Sequence, residues 1–392
     1  MNPTDWPGLD PLPPGIRSRR VERVNGLSMH VLEAGFETPG RPCVLLLHGF
    51  PELAYSWRRV MPALAGAGWH VIAPDQRGYG RTTGWSAHYD SDLAPFSLLA
   101  IARDALALVR AFGRDHVAAV VGHDFGSPVA AWCALARPDV FRSVVLMSAP
   151  FAGPPALAHG QADDPLAPDP AAAAQARVRA TLDDLARLPR PRKHYQWYYS
   201  TRQANADMVN APQGLAAFLR AYYHVKSADW APNRPYRLAG WDADSLAQLP
   251  TYYVMDAHET MAETVAHHMP SPALIAACRW LTQDELAVYT AEYARTGFQG
   301  GLQWYRCGTS GAFTGEMQLF AGRRIEVPAM FIAGGSDWGI HQKPGDFEAM
   351  QTAACARFEG AHLIAGAGHW VQQEQPEAVN ALLLDFLARR RA

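Results

Sequence analysis

The sequence predicts an α/β protein: a mainly parallel, doubly wound sheet with an inserted helical cap. Three observations carry this. Short β-branched runs alternate with helical patterns over the first 150 residues, the rhythm of a parallel sheet. The rhythm breaks at Pro150, and residues 176 to about 322 are helical in period and rich in aromatics. It resumes at residue 329. Residues 1–150 and 323–392 are therefore expected to form the core and 151–322 the cap, entered through a flexible Pro/Ala-rich segment.

Residues 17–35 read as a hairpin turning at Asn25-Gly26. Residues 44–47 and 71–73 are short buried strands separated by an apolar stretch at 60–64, and 116–121 and 144–147 continue the series. A helix is expected over 127–136, ended by Arg137-Pro138. From 153 to 174 the abundance of Pro, Ala, Gly and Asp reads as a linker. Strands at 329–333 and 362–365 lead to a last helix opened by Pro376-Glu377, with Val379, Leu382, Leu383, Phe386 and Leu387 on its inner face.

A chain of 392 residues exceeds the usual single core, which fits a large domain with an insertion. Its net charge of −2 gives no electrostatic case for nucleic acid or an anionic membrane as partner. Arginine supplies nearly all the positive charge, since Lys193, Lys226 and Lys343 are the only lysines. Five scattered cysteines without ligand spacing support neither a disulfide framework nor a zinc site. The N-terminal stretch is proline-rich without an apolar run, so no signal or anchor is expected and a reducing cytoplasm is the expected compartment.

The chemistry is announced at Val120-Val121-Gly122-His123-Asp124-Phe125-Gly126-Ser127, a strand–elbow–helix pattern with a carboxylate in the nucleophile position. A serine attacking a saturated carbon forms an ether that activated water does not readily cleave. A carboxylate forms an ester whose carbonyl water can attack. Asp124 thus points to opening C–O or C–halogen bonds at saturated carbon. His48-Gly49-Phe50-Pro51 follows a strand, so that the Phe50 amide, with that of Phe125, can bind an oxyanion. Downstream, Asp337 and His369 each follow a strand and complete the order nucleophile, acid, base. Asp346 and Glu316 are weaker claimants to the acid role, because neither ends a strand.

These motifs resemble the epoxide hydrolases of the α/β-hydrolase superfamily. The likeness spans nearly the whole chain and includes His-Gly-Phe-Pro-Glu at 48–52, Asp-Gln-Arg-Gly-Tyr-Gly at 75–80 and Gly122-His123-Asp124. In the cap, Trp280-Leu281-Thr282 and the run from Gly297 to Arg306 look like the segment carrying one ring-opening tyrosine, which implies Tyr305. The run from His194 to Tyr199 looks like the segment carrying the other, which implies Tyr195, with Tyr198 and Tyr199 as the alternatives in register. His48, Pro51 and Trp304 are expected as substrate contacts. Phe125 stands where the family commonly has tryptophan, which removes an indole N–H suited to holding a halide.

The resemblance implies hydrolysis of a small apolar epoxide by water to a vicinal diol, through an ester on Asp124. No cofactor, metal, nucleic acid or membrane is expected, and a homodimer is left open. The alternatives are a haloalkane or haloacid dehalogenase of the same fold, and a non-catalytic ligand-binding homologue. His258-Glu259 lacks a second zinc ligand at Ala262, and His267-His268, Gly334-Gly335 and Asp163-Asp164 carry no further chemistry.

Overall fold

Asn25 and Gly26 both take left-handed backbone angles, φ 50° and 82°, which suit a two-residue hairpin turn. They join strand β1 (Ile16–Val24) to β2 (Leu27–Ala34). The computed structural model describes residues 12–157 and 170–390. The chain continues through β3 (Cys43–Leu47), helix α1 (Met61–Gly66) and β4 (His70–Pro74). Helix α2 (Leu98–Ala111) follows, a helix the sequence reading passed over. Ser97 caps it, accepting the Ala100 amide at 3.3 Å, and Ile101, Ala105 and Leu108 turn inward. Next come β5 (Ala119–His123), α3 (Gly126–Ala136) and β6 (Val144–Met147). β5 starts three residues later than expected, because Val117 forms only an isolated bridge to Phe141.

The insertion between β6 and the next core strand is mostly helical. Helix α4 (Pro170–Arg187) begins inside the expected linker. A proline followed by four alanines is a strong helix start, which explains the difference. The rest of that linker, 158–169 with Asp163-Asp164, lies outside the described residues. Strand β7 (Arg192–His194) leads directly into α5 (Tyr195–Tyr199), then α6 (Leu215–Lys226) and β8 (Val254–Asp256). β7 and β8 pair antiparallel. Three residues each are too few to show a strand period, so this ribbon was not expected. Helix α7 (Gln283–Thr296) starts with a Thr282/Glu285 capping box and is followed by α8 (Gln299–Ser310).

The core resumes with β9 (Ile325–Gly334) and β10 (Cys355–Ile364), both longer than expected, and ends in α9 (Pro376–Ala388). Val379, Leu383, Phe386 and Leu387 of α9 are buried, whereas Leu382 is only partly so. The eight-stranded sheet runs β1-β2-β4-β3-β5-β6-β9-β10. The β1–β2 and β2–β4 pairs are antiparallel, and all later neighbours are parallel. β3, β5 and β6 are wholly buried, as the apolar runs require. Their carboxyl ends, with that of β9, share one edge, where ligands of such sheets bind.

Backbone and side-chain contacts both tie the insertion to the core. Backbones meet at Gly78 and Gly300: a methyl group on Gly300 would lie 2.0 Å from the Gly78 carbonyl oxygen. Arg58, buried, donates to Glu285 (2.9 Å), Gln373 (2.7 Å) and the Trp280 carbonyl (3.0 Å). No described helix is long and apolar enough to cross a membrane.

Candidate active site

β5 ends at His123, and the chain turns sharply at Asp124, whose φ of 51° is left-handed. The turn tolerates no side chain at Gly122, where a methyl group would lie 2.0 Å from the Gly126 carbonyl oxygen. The elbow lifts the Asp124 carboxylate beyond the sheet edge. Its Oδ1 accepts the Phe50 amide at 2.9 Å, and its Oδ2 meets His369 Nε2 at 3.1 Å. The far nitrogen of His369, Nδ1, faces both Asp337 oxygens at 3.1 and 3.2 Å. Asp337 is held in turn by the Gly339 amide at 2.7 Å. The three side chains come from three strand ends and converge as the sequence order suggested. Asp346 lies in the cavity wall without touching His369, and Glu316 is exposed.

A cavity of about 340 Å³ opens over Asp124. Phe125, Trp132, Phe151 and Ile340 give it apolar walls, and Tyr195 and Tyr305 both line it. Their rings lie 5.9 Å apart, centroid to centroid. Tyr305, on α8, stands edge-on to Phe125 (4.9 Å) and Phe50 (5.4 Å). Tyr195 opens α5, with its hydroxyl donating to Gln342 Oε1 (3.0 Å) and accepting from Gln196 Nε2 (3.2 Å). The two alternatives are engaged elsewhere: Tyr198 donates to Asp207 (2.8 Å) and Tyr199 to the Tyr222 hydroxyl (3.1 Å). Neither lines the cavity.

Burial alone would raise the pKa of Asp124, but the His369 bond and charge outweigh it and hold the carboxyl well below the usual range. For His369, burial and the Lys226 charge pull downward, Asp337 and Asp124 push upward, and the net direction is up. Burial, and to a lesser degree the Asp124 charge, push both cavity phenols well above the ordinary phenol range.

The chain matches the alpha/beta hydrolase fold family over residues 42–376. It is 33% identical over 374 residues to Epoxide hydrolase A of Mycobacterium tuberculosis (strain H37Rv), covering 95% of this chain and 98% of that protein. A solved epoxide hydrolase from an endophytic Streptomyces superposes with TM-score 0.74 at 30% identity, covering 96% of each chain. Epoxide Hydrolase A from Mycobacterium thermoresistibile superposes with TM-score 0.71 at 32% identity, covering 95% of this chain and 98% of that one. The chain belongs to the epoxide hydrolase family.

The three residues expected as substrate contacts lie behind the cavity lining. His48 is wholly buried, its Nδ1 at 2.9 Å from the Gly49 carbonyl and its Nε2 accepting the Gln76 amide at 3.1 Å. Pro51 is buried, and its carbonyl accepts the Tyr223 hydroxyl at 2.8 Å. Trp304 donates its indole N–H to the Arg77 carbonyl at 3.0 Å and backs Phe125. None lines the cavity. They sit behind the wall, where Trp304 packs edge-on against Phe125.

Other residues escaped the sequence reading. Glu52 and His123 are both fully buried and meet at 2.6 Å; His123 Nε2 then reaches the His369 carbonyl at 2.7 Å. Gln372 and Gln373 donate to the other Glu52 oxygen at 2.9 and 3.1 Å. Glu52 and His123 stood inside the motifs quoted above, so their position beside the elbow was the available signal. Gln342 and Lys226 gave none. Among the described residues no cluster of three His, Cys, Asp or Glu side chains could hold a metal ion.

Proposed function

We propose that this enzyme hydrolyses an apolar epoxide to a vicinal diol through an ester on Asp124, with residues 151–322 as cap and 1–150 with 323–392 as catalytic core. The observation that carries the reading is one arrangement: a carboxylate held between the Phe50 amide and His369, beneath two buried phenols.

In the first half-reaction an Asp124 oxygen attacks one oxirane carbon. The C–O bond of the ring breaks, and its oxygen takes a proton from Tyr305 or Tyr195. As the carboxylate becomes an ester its negative charge disappears, and with it one influence that raised both phenol pKa values. The acids therefore strengthen as the alkoxide forms. In the second half-reaction His369, oriented by Asp337, removes a proton from water while the hydroxide adds to the Asp124 carbonyl carbon. The Phe50 and Phe125 amides receive the tetrahedral oxyanion, an interaction worth roughly 3 kcal/mol per donor in comparable sites. Collapse breaks the acyl C–O bond and His369 returns its proton to the departing alkoxide; the proton left on the Asp124 carboxyl passes by way of water to the phenolate, and the diol leaves.

Single turnover in ¹⁸O-water tests the scheme. Label is expected in an Asp124 carboxylate oxygen, and His369→Gln is expected to accumulate the ester; an unmodified protein in that variant would overturn it. Styrene-like, aliphatic and terpenoid oxides assayed for diol define the substrate. Halide release from haloalkanes without diol formation would favour a dehalogenase instead.

A further inference from the structure

Lys226 ends α6, one of three lysines in the chain, and is buried with 4% of its surface exposed. Its ammonium lies among three aromatic rings, 5.1 Å from the centroid of Tyr253, 5.4 Å from Tyr222 and 5.5 Å from Trp370. Ring faces stabilise a cation without neutralising it. No carboxylate lies within ion-pair distance among the described residues, so its field is not cancelled locally. The Lys226 carbonyl accepts the His369 amide at 2.8 Å, tying the end of this cap helix to the loop of the general base.

The groups facing His369 are few. Asp124 approaches from the elbow and Asp337 from the loop after β9. His123 sits behind, ring centroids 5.1 Å apart, and Glu374 bonds the flanking Gly368 and Trp370 amides at 2.9 Å each. Lys226 opposes protonation of the imidazole, whereas the two aspartates favour it. Alkylation removes the Asp124 charge and leaves Lys226 in place.

We propose that Lys226 is a positioning residue of the second half-reaction: its caged ammonium keeps His369 a free base once alkylation has consumed the Asp124 charge. The inference rests on the ester mechanism proposed above. Before attack, Asp124 and Lys226 offset one another at the imidazole. Afterwards the balance tips toward the neutral ring, at the moment when water must be deprotonated.

Rapid-quench single turnovers test this, with whichever styrene-like oxide is turned over, following ester formation and decay by intact-protein mass from about pH 5.5 to 9.5. In Lys226→Met the acidic limb of ester decay is expected to move up by roughly one pH unit. Decay below that limb slows about tenfold, the alkaline plateau stays at the wild-type level, and formation at neutral pH changes by less than about twofold. Lys226→Gln serves if the methionine variant does not fold, and Lys226→Arg, which keeps the charge, is expected to keep the wild-type limb. An unmoved limb with both steps slowed at every pH would overturn the inference, as would an arginine variant displaced as far as the neutral ones. Absence of any ester in the wild-type enzyme would instead remove the mechanism on which it rests.

Discussion

The Tyr195 hydroxyl donates to Gln342 across 3.0 Å, whereas the Tyr305 hydroxyl has no protein partner among the described residues. The two phenols over Asp124 are therefore not equivalent. On the proposed mechanism Tyr305 meets the oxirane oxygen without breaking a protein hydrogen bond, whereas Tyr195 must first leave Gln342. Gln342→Leu removes that competitor and leaves the hydroxyl proton without an acceptor in the free enzyme, with only the bond accepted from Gln196 retained. Epoxide affinity in a variant unable to turn over (His369→Gln background) is expected to rise about fivefold, near 1 kcal/mol, while stability of the unliganded protein falls by a similar amount. Titration and thermal unfolding read the two signs separately, and a fall in affinity would refute the competition.

The same asymmetry orders the tyrosine variants. Tyr305→Phe is expected to slow ester formation by about 100-fold or more, the usual scale of a lost proton donor. Tyr195→Phe should cost about fivefold less, because breaking the Gln342 bond already taxes that hydroxyl in the wild type. Single-turnover rates decide it, and the reverse order would show that Tyr195 is the principal donor.

Asp75 predicts a pH effect on stability. It accepts the Ala54 amide at 2.9 Å and the Arg81 amide at 3.0 Å, and meets His30 at 2.7 Å. Burial would raise its pKa, but the His30 charge and bond outweigh it and hold the carboxyl at about 2, against 3.8 when exposed. A depressed folded-state value stabilises the protein above the unfolded pKa and ceases to do so as pH falls through about 2. The contribution at neutral pH is roughly 2 kcal/mol. Asp75→Asn should lower unfolding free energy by at least that at pH 7, with the gap to wild type closing below about pH 3. A gap that is constant with pH would exclude the ionised carboxylate as its origin.

Arg58 carries the second prediction on stability. Removing a buried charge from its partners is costly, about 3–5 kcal/mol. Arg58→Met leaves Glu285 with Arg59 at 3.0 Å and the Thr282 amide at 2.8 Å, and strips Gln373 and the Trp280 carbonyl of a donor. Denaturant unfolding should show a loss of that order, and a loss under 1 kcal/mol would mean that the cap is held by other contacts.

How far the molecule could be read beforehand follows from where each signal lies. Asp124, Asp337 and His369 end strands, and each sits in a short local pattern that fixes its place on the sheet edge. Tyr195 and Tyr305 were reached through their flanking residues, and the geometry sets Tyr195 apart from Tyr198 and Tyr199 by its place in the cavity wall and by hydroxyl partner. Gln342 lies 147 residues from the phenol it binds, so nothing local marks it. Lys226 closes a helix, where a lysine is ordinarily solvated, and only the packing of Trp370 and Tyr253 around it makes it unusual. His48, Pro51 and Trp304, expected as substrate contacts, lie outside the cavity lining for the complementary reason. Nearness in sequence to a working residue does not turn a side chain toward the same cavity.

The backbone meeting of Gly78 and Gly300 bears on how such an enzyme diversifies. Tyr305 follows Gly300 by five residues on one helix, so its height above the nucleophile is set by main-chain atoms that no side-chain drift can pad out. Pro155 and Met317 line the same cavity from outside both that helix and the elbow. Substitutions at those two positions can therefore widen or narrow the cavity while the Gly78–Gly300 approach stays as it is.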